Sequence, residues 1–175
     1  MEPLRRLDAA GAGPLQGRRP QVTARTDRSA RTTHLDKRFG SALAALSAAA
    51  KKGLGDPVLA ELVMMRASQI NACAFCLDMH VDIAVRNGES AKRIALLNAW
   101  PEAGELFSER ERAALALTEA VTVLTDGFVP DEAYEAAAKH FDEAELAHLI
   151  GVITVINSWN RVMVSRRIEP GGYTP

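Results

Sequence analysis

Between Glu145 and Ser165 the chain offers a helix with almost no polar face. Leu146, Leu149, Ile150, Val152, Ile153, Val155, Ile156, Trp159, Val162 and Met163 fall on every side of a helical spiral. A helix that is apolar all round must be covered all round. Two arrangements satisfy this: a domain wrapped around a central helix, or a subunit interface. The segment does not suit a membrane, because His148 and Gly151 break its apolar run well short of the roughly 20 residues a bilayer needs.

The cover has to come from other helices. Residues 36–52 carry Phe39, Leu43 and Leu46 and then an alanine-rich stretch, with Gly53 placed as a stop. Asp56-Pro57 is a start signal, Asp56 capping and Pro57 fitting the first helical position. The helix it opens runs towards Ser68, and Asn71 is placed to cap the next one, from Ala72 to Asn87-Gly88. Ser90 caps a short helix ended by Trp100-Pro101. Ser108 with Glu111 and Asp142 with Glu145 are capping boxes, for helices from Glu109 to Leu124 and from Asp142 to about Ser165. Pro130 opens another between them. No stretch alternates apolar and polar residues between hairpin turns. The pattern predicts an all-α domain of about seven helices with short connections.

At 175 residues, 47% hydrophobic and 25% charged, the chain has the size and composition of one globular domain with its own core. Its net charge of −1 is unevenly spread, +4 over residues 1–31 and −5 over the rest. A mildly acidic body argues against nucleic acid as a partner. The first 34 residues are rich in Arg, Pro and Gly without apolar periodicity. They are expected to be a disordered tail, an organellar transit peptide being the alternative, with the helical domain over 35–175. There is no secretory signal pattern, so a cytoplasmic location away from membranes is the default expectation.

The chemistry concentrates in Glu61–His80, ELVMMRASQINACAFCLDMH. The only two cysteines, Cys73 and Cys76, form a CxxC, and His80 follows four residues after the second. On a helix these three share one stripe about two turns long. A cysteine in a first helical turn sits near the positive end of the helix dipole, which favours the thiolate at Cys73. His80 can exchange a proton with Cys76, and Glu61 can orient the imidazole if its helix packs antiparallel. Such a group suits peroxide or disulfide chemistry: a thiolate attacks the O–O bond, and the neighbouring thiol closes a disulfide. Three other uses are compatible with the same residues. They are core packing of two cysteines, a zinc site of Glu61, Cys73, Cys76 and His80, and a non-enzymatic redox sensor. Haem attachment is excluded, because Leu77 rather than His follows the second cysteine.

Glu61, eleven residues, CxxC, three residues and His80 is a spacing that resembles the AhpD-like alkylhydroperoxidases of the carboxymuconolactone decarboxylase superfamily. RASQINACAFCLDMH at 66–80 is close to that family's core wording, and FSERERAALALTEA at 107–120 and NSWNR at 157–161 extend the likeness. The resemblance implies an AhpD-like helical fold assembling as a homotrimer or homohexamer, with the CxxC at the N-terminal end of a central helix. It implies a thiol-dependent peroxidase in antioxidant defence, acting on a hydroperoxide without a cofactor or metal. A lipoyl or thioredoxin-like dithiol would return it to the reduced state. By the same resemblance Cys76 is the peroxidatic thiol, Cys73 its resolving partner, and His80 and Glu61 the proton relay. Well-known members carry a further His just before the second cysteine, where this chain has Phe75. Decarboxylase members lack the CxxC, so decarboxylation is not expected.

Several nearby residues have plainer readings. Trp159 suits core or interface, and Asn160 and Arg161 suit satisfying polar groups there. His148 is expected as a hydrogen-bonded core histidine. Met64, Met65 and Met79 suit packing, with the lining of an apolar pocket as a second use.

Overall fold

The computed structural model describes residues 31, 34–124 and 127–172. The expected N-terminal tail lies outside them, except for Arg31 and His34. Seven α-helices and two 3-10 segments make up the architecture, with no strand among the described residues. The helices are α1 (Lys37–Leu54), α2 (Pro57–Ile70), α3 (Ala74–Arg86), α4 (Ala91–Leu96), α5 (Glu109–Thr122), α6 (Asp131–Ala138) and α7 (Glu143–Arg166). The 3-10 segments, Leu97–Glu102 and Gly104–Leu106, join α4 to α5, and the first continues through Pro101.

Most of the start signals act as read. Asp56 accepts the Leu59 N–H at 2.9 Å with Pro57 at the first position of α2. Ser90 caps α4, and both capping boxes close, Ser108 with Glu111 and Asp142 with Glu145. Each such cap contributes about 1 kcal/mol by satisfying an N–H that the helix leaves unpaired. Three readings need correction. Gly53 does not stop α1, which runs to Leu54 and ends on Gly55 at φ 71. Gly53 instead provides a close approach to α7, because the ring of His148 occupies the space a Cβ would take, 2.2 Å from its nearest atom. His148 is therefore a half-buried packing residue at the α1–α7 contact rather than a core one. Asn71 does not cap α3. It ends α2, and Cys73 is the cap of α3.

The helix enclosed on all sides is α2. Seven consecutive residues, Leu59 to Met65, are buried. Leu59, Val63, Met64 and Ala67 join a core with Leu43 and Leu54 of α1, Leu117 of α5, and Leu149, Ile153 and Ile156 of α7. Leu62 and Met65 face a second cluster with Leu97, Trp100, Phe107 and Leu115. The last helix keeps an exposed stripe at Ala147, Thr154 and Arg161. These positions are seven apart and so share a side. A small, a polar and a charged residue there give α7 one wet face that a list of its apolar residues conceals.

Candidate active site

The site begins at a turn. At the end of α2 the Cys73 N–H donates to Ser68 O (3.0 Å) and the Ala72 N–H to Gln69 O (3.2 Å). This is the Schellman pattern, whose left-handed position usually holds glycine. Here it holds Ala72, at φ 52. The turn delivers Cys73 directly into the cap position of α3, where its sulfur accepts the Cys76 N–H at 3.4 Å. The CxxC is thus folded around a helix N-terminus, with the two Sγ atoms 2.6 Å apart. Both cysteines are free and buried.

That arrangement separates the two thiols. The hydrogen bond from Cys76 holds the Cys73 thiol at about 7, below its ordinary 9.0; burial opposes this, and the Cys76 N–H and Asn160 add to it. Cys76 is pushed up by the same hydrogen bond, by burial and by the Cys73 charge. Cys73 is therefore the more acidic of the two thiols, and Cys76 the one that keeps its proton. Access runs the other way. An apolar cleft of about 630 Å³ opens between α1, α3 and α7, lined by Ala44, Ala48, Lys51, Phe75, Met79, Ile83, Trp159 and Met163. Cys76 and His80 line it too. Cys73 does not line it.

Glu61 lies beneath the cleft, fully buried on α2. Its Oε2 is 2.7 Å from His80 Nδ1, and Lys51 of α1 donates to its Oε1. Burial would raise the Glu61 carboxyl, but His80 and Lys51 outweigh it and hold the group below its ordinary value. An ionised carboxylate only accepts. His80 Nδ1 must therefore carry the proton shared with Glu61, which leaves the neutral ring's Nε2 as a base. The structure thus joins Glu61, Cys73, Cys76 and His80 in one constellation. Sequence reasoning missed Lys51, one of two adjacent lysines at the end of an alanine-rich helix, ten residues before Glu61, with no motif to mark it.

Of the expected methionines, Met79 lines the cleft whereas Met64 and Met65 are core residues. Trp159 lines the cleft, half-buried. Arg161 is exposed and donates to Asn157 O and Oδ1, both at 2.9 Å. Asn160 is fully buried, is held by Asn71 and Ser68, and acts to lower both thiols. Among the described residues, no group of three or more His, Cys, Asp or Glu is arranged to hold a metal ion. Glu61, the carboxylate a zinc site would need, has both oxygens engaged by Lys51 and His80.

Fold and site together define an all-helical protein with a buried dithiol at a helix N-terminus, a carboxylate-backed histidine and an open apolar cleft. Residues 37–120 match the profile of the carboxymuconolactone decarboxylase family. The uncharacterized protein YdfG of Bacillus subtilis is 44% identical over 105 residues, 60% of this chain and 71% of YdfG. The uncharacterized protein YnjA of Escherichia coli is 38% identical over 103 residues, 58% of this chain and 55% of YnjA. Among solved structures, a protein of unknown function from Agrobacterium tumefaciens, proposed as the antioxidant defence protein AhpD, superposes with a TM-score of 0.73 at 34% identity. It covers 78% of this chain and 92% of its own. An uncharacterized peroxidase-related protein from Silicibacter shares the fold, with a TM-score of 0.62 at 19% identity over 75% of this chain and 70% of its own. The chain belongs to the carboxymuconolactone decarboxylase family, as an AhpD-like member. Among the described residues, no helix is long and apolar enough to cross a membrane.

Proposed function

We propose that the protein is a thiol-dependent peroxidase that reduces hydroperoxides through Cys73 and Cys76. One observation carries the reading. Cys76 lines an apolar cleft, while its sulfur is 2.6 Å from a second thiol whose acidity is raised. A structural cysteine pair needs neither the opening nor the raised acidity.

The cycle follows from the geometry. Cys76 gives its proton to His80 Nε2, directly or by way of the Cys73 thiolate, and attacks the terminal oxygen of a hydroperoxide in the cleft. The O–O bond breaks, Cys76 becomes a sulfenic acid, and the alkoxide leaves as the alcohol with the proton from His80. The Cys73 thiolate then attacks the sulfenic sulfur, closing the Cys73–Cys76 disulfide and releasing hydroxide, which is protonated to water. Two thiols are oxidised and one peroxide is reduced. A dithiol of lipoyl or thioredoxin type restores the pair by exchange. Glu61 stabilises the imidazolium in passing, and Lys51 keeps Glu61 charged where the protein has Phe75 in place of a second histidine. Assembly as a homotrimer or homohexamer belongs to the same proposal.

The test uses reduced, metal-free protein given one equivalent of cumene hydroperoxide, followed by alkylation and intact mass. The expected result is loss of both alkylatable thiols with two hydrogens removed. Repeated consumption on adding dihydrolipoamide is expected, and Cys76→Ser should abolish it while leaving helical content intact. Retained consumption in that variant removes Cys76 from the role. Oxidation without re-reduction by any dithiol would favour a sensor over an enzyme.

A further inference from the structure

Behind the sulfurs runs a chain of side-chain amides whose direction the backbone dictates. Asn157 Nδ2 donates to Ile153 O at 2.9 Å, and a carbonyl can only accept. This fixes which end of the Asn157 amide is nitrogen, and its Oδ1 is left to accept from Asn71 Nδ2 at 2.9 Å. Asn71 gives its other N–H to Asn160 Oδ1, also at 2.9 Å. The Asn160 nitrogen therefore faces the other way and donates to Ser68 Oγ at 2.9 Å. Ser68 has no freedom to reverse, because its hydroxyl is spent on Met64 O at 2.7 Å. The chain is anchored at both ends by main-chain acceptors, so no member can flip alone.

The consequence falls on Asn160. An amide nitrogen has two N–H groups, and only one is taken by Ser68. Asn160 is fully buried, so water does not satisfy the second. Ser68 and Asn71, which hold Asn160, frame the turn that ends at Cys73, whose own N–H donates to Ser68 O at 3.0 Å, and the Asn160 amide acts to lower both thiols. Ser68 on α2 and Asn71 at its end thus hold one residue of α7 at the CxxC turn, across sequence gaps of 92 and 89 residues.

We propose that Asn160 is a catalytic residue whose second amide N–H stabilises the negative charge on whichever of the two sulfurs carries it. The inference rests on reading Cys73 and Cys76 as the reacting pair. A donor shared between both sulfurs suits a charge that must move from Cys73 to Cys76 before attack and be present on Cys73 again for disulfide closure. A merely structural asparagine would need only its links to Asn71 and Ser68.

The first experiment uses the wild-type protein, reduced and ¹⁵N-labelled. One Asn160 side-chain amide proton is expected to move with the thiol titration and again on disulfide formation, while those of Asn157 stay. An Asn160 amide blind to both events overturns the proposal, with no variant needed. The second follows the pH dependence of iodoacetamide alkylation. Asn160→Ala and the shape-preserving Asn160→Asp should raise the midpoint by about one pH unit, the worth of one hydrogen bond to a charged group. Asn157→Ala, one link further from the sulfurs, should lower Tm without moving it. Equal loss of Tm with wild-type midpoints in the Asn160 and Asn157 variants makes Asn160 structural and sinks the idea. Neither readout needs peroxide turnover. Failure of the peroxidase reading therefore shows separately, as thiols that titrate as expected but consume no peroxide.

Discussion

Lys51 shows how one side chain sets the charge of a site. Glu61 is fully buried, and a lone carboxylate there would take up a proton rather than stay ionised. It stays ionised because Lys51 and His80 each hold one oxygen. A carboxyl held below its ordinary value stabilises the fold at neutral pH and loses that contribution as pH falls through its folded value. Lys51→Met should therefore move acid unfolding, followed by circular dichroism, to higher pH, with a loss of about 1–2 kcal/mol at pH 7. The thiols make a second pH signature. Between about 7 and 9 the folded, reduced protein has lost a proton from Cys73 that the unfolded chain still holds, so stability rises with pH. Above the ordinary thiol value of 9.0 the unfolded chain loses both protons while Cys76 keeps its own, and stability falls. Urea midpoints of the reduced protein, taken against the Cys73→Ser/Cys76→Ser variant, should peak near pH 9. A flat difference would contradict the shared charge.

At the scale of elements, the α2–α3 turn is where strain and chemistry meet. Ala72 holds a left-handed conformation that is unfavourable for any residue with a Cβ, by roughly 1–2 kcal/mol. The Schellman geometry nevertheless forces it, and in return Cys73 lands on the helix N-terminus. Ala72→Gly should relieve the strain and stabilise the protein by about 0.5–1 kcal/mol in urea unfolding, part of the gain being offset by the greater freedom of glycine when unfolded. A destabilised Ala72→Gly would mean the turn is not strained. The same turn explains a misreading. Asn71 followed by a helix looks like a cap, yet its side chain is needed by Asn157 and Asn160 of α7. Local sequence cannot reveal that demand, because the partners lie 86 and 89 residues away.

At the scale of the molecule, the packing leaves apolar surface that one chain does not cover. Phe39 and Leu46, seven residues apart on α1, are 50% and 52% exposed. Such residues on a helix flank fit the proposed homotrimer or homohexamer. Light scattering behind size exclusion should give three or six times the 18.9 kDa of the chain, and a single-chain mass would remove the assembly from the proposal. A related difference concerns which helix is central. α7 is longer and carries more apolar residues, but α2 is the one enclosed, and even Glu61 and Ser68 within it are buried with partners that a residue count does not show.

What the sequence alone determined is what acts over a few residues. The caps at Asp56, Ser90, Ser108 and Asp142 satisfy N–H groups one turn away, so the helix starts are written locally. The spacing of Glu61, Cys73, Cys76 and His80 was enough to expect one chemical group, since helical geometry brings i, i+3 and i+4 together. Only the tertiary structure decided the rest. It brought Lys51 to Glu61, divided acidity and access between the two cysteines, and held Asn160 between Asn71 and Ser68 at the CxxC turn. Each of these depends on which helix faces which, and buried charges and amides are fixed only when every partner is in place.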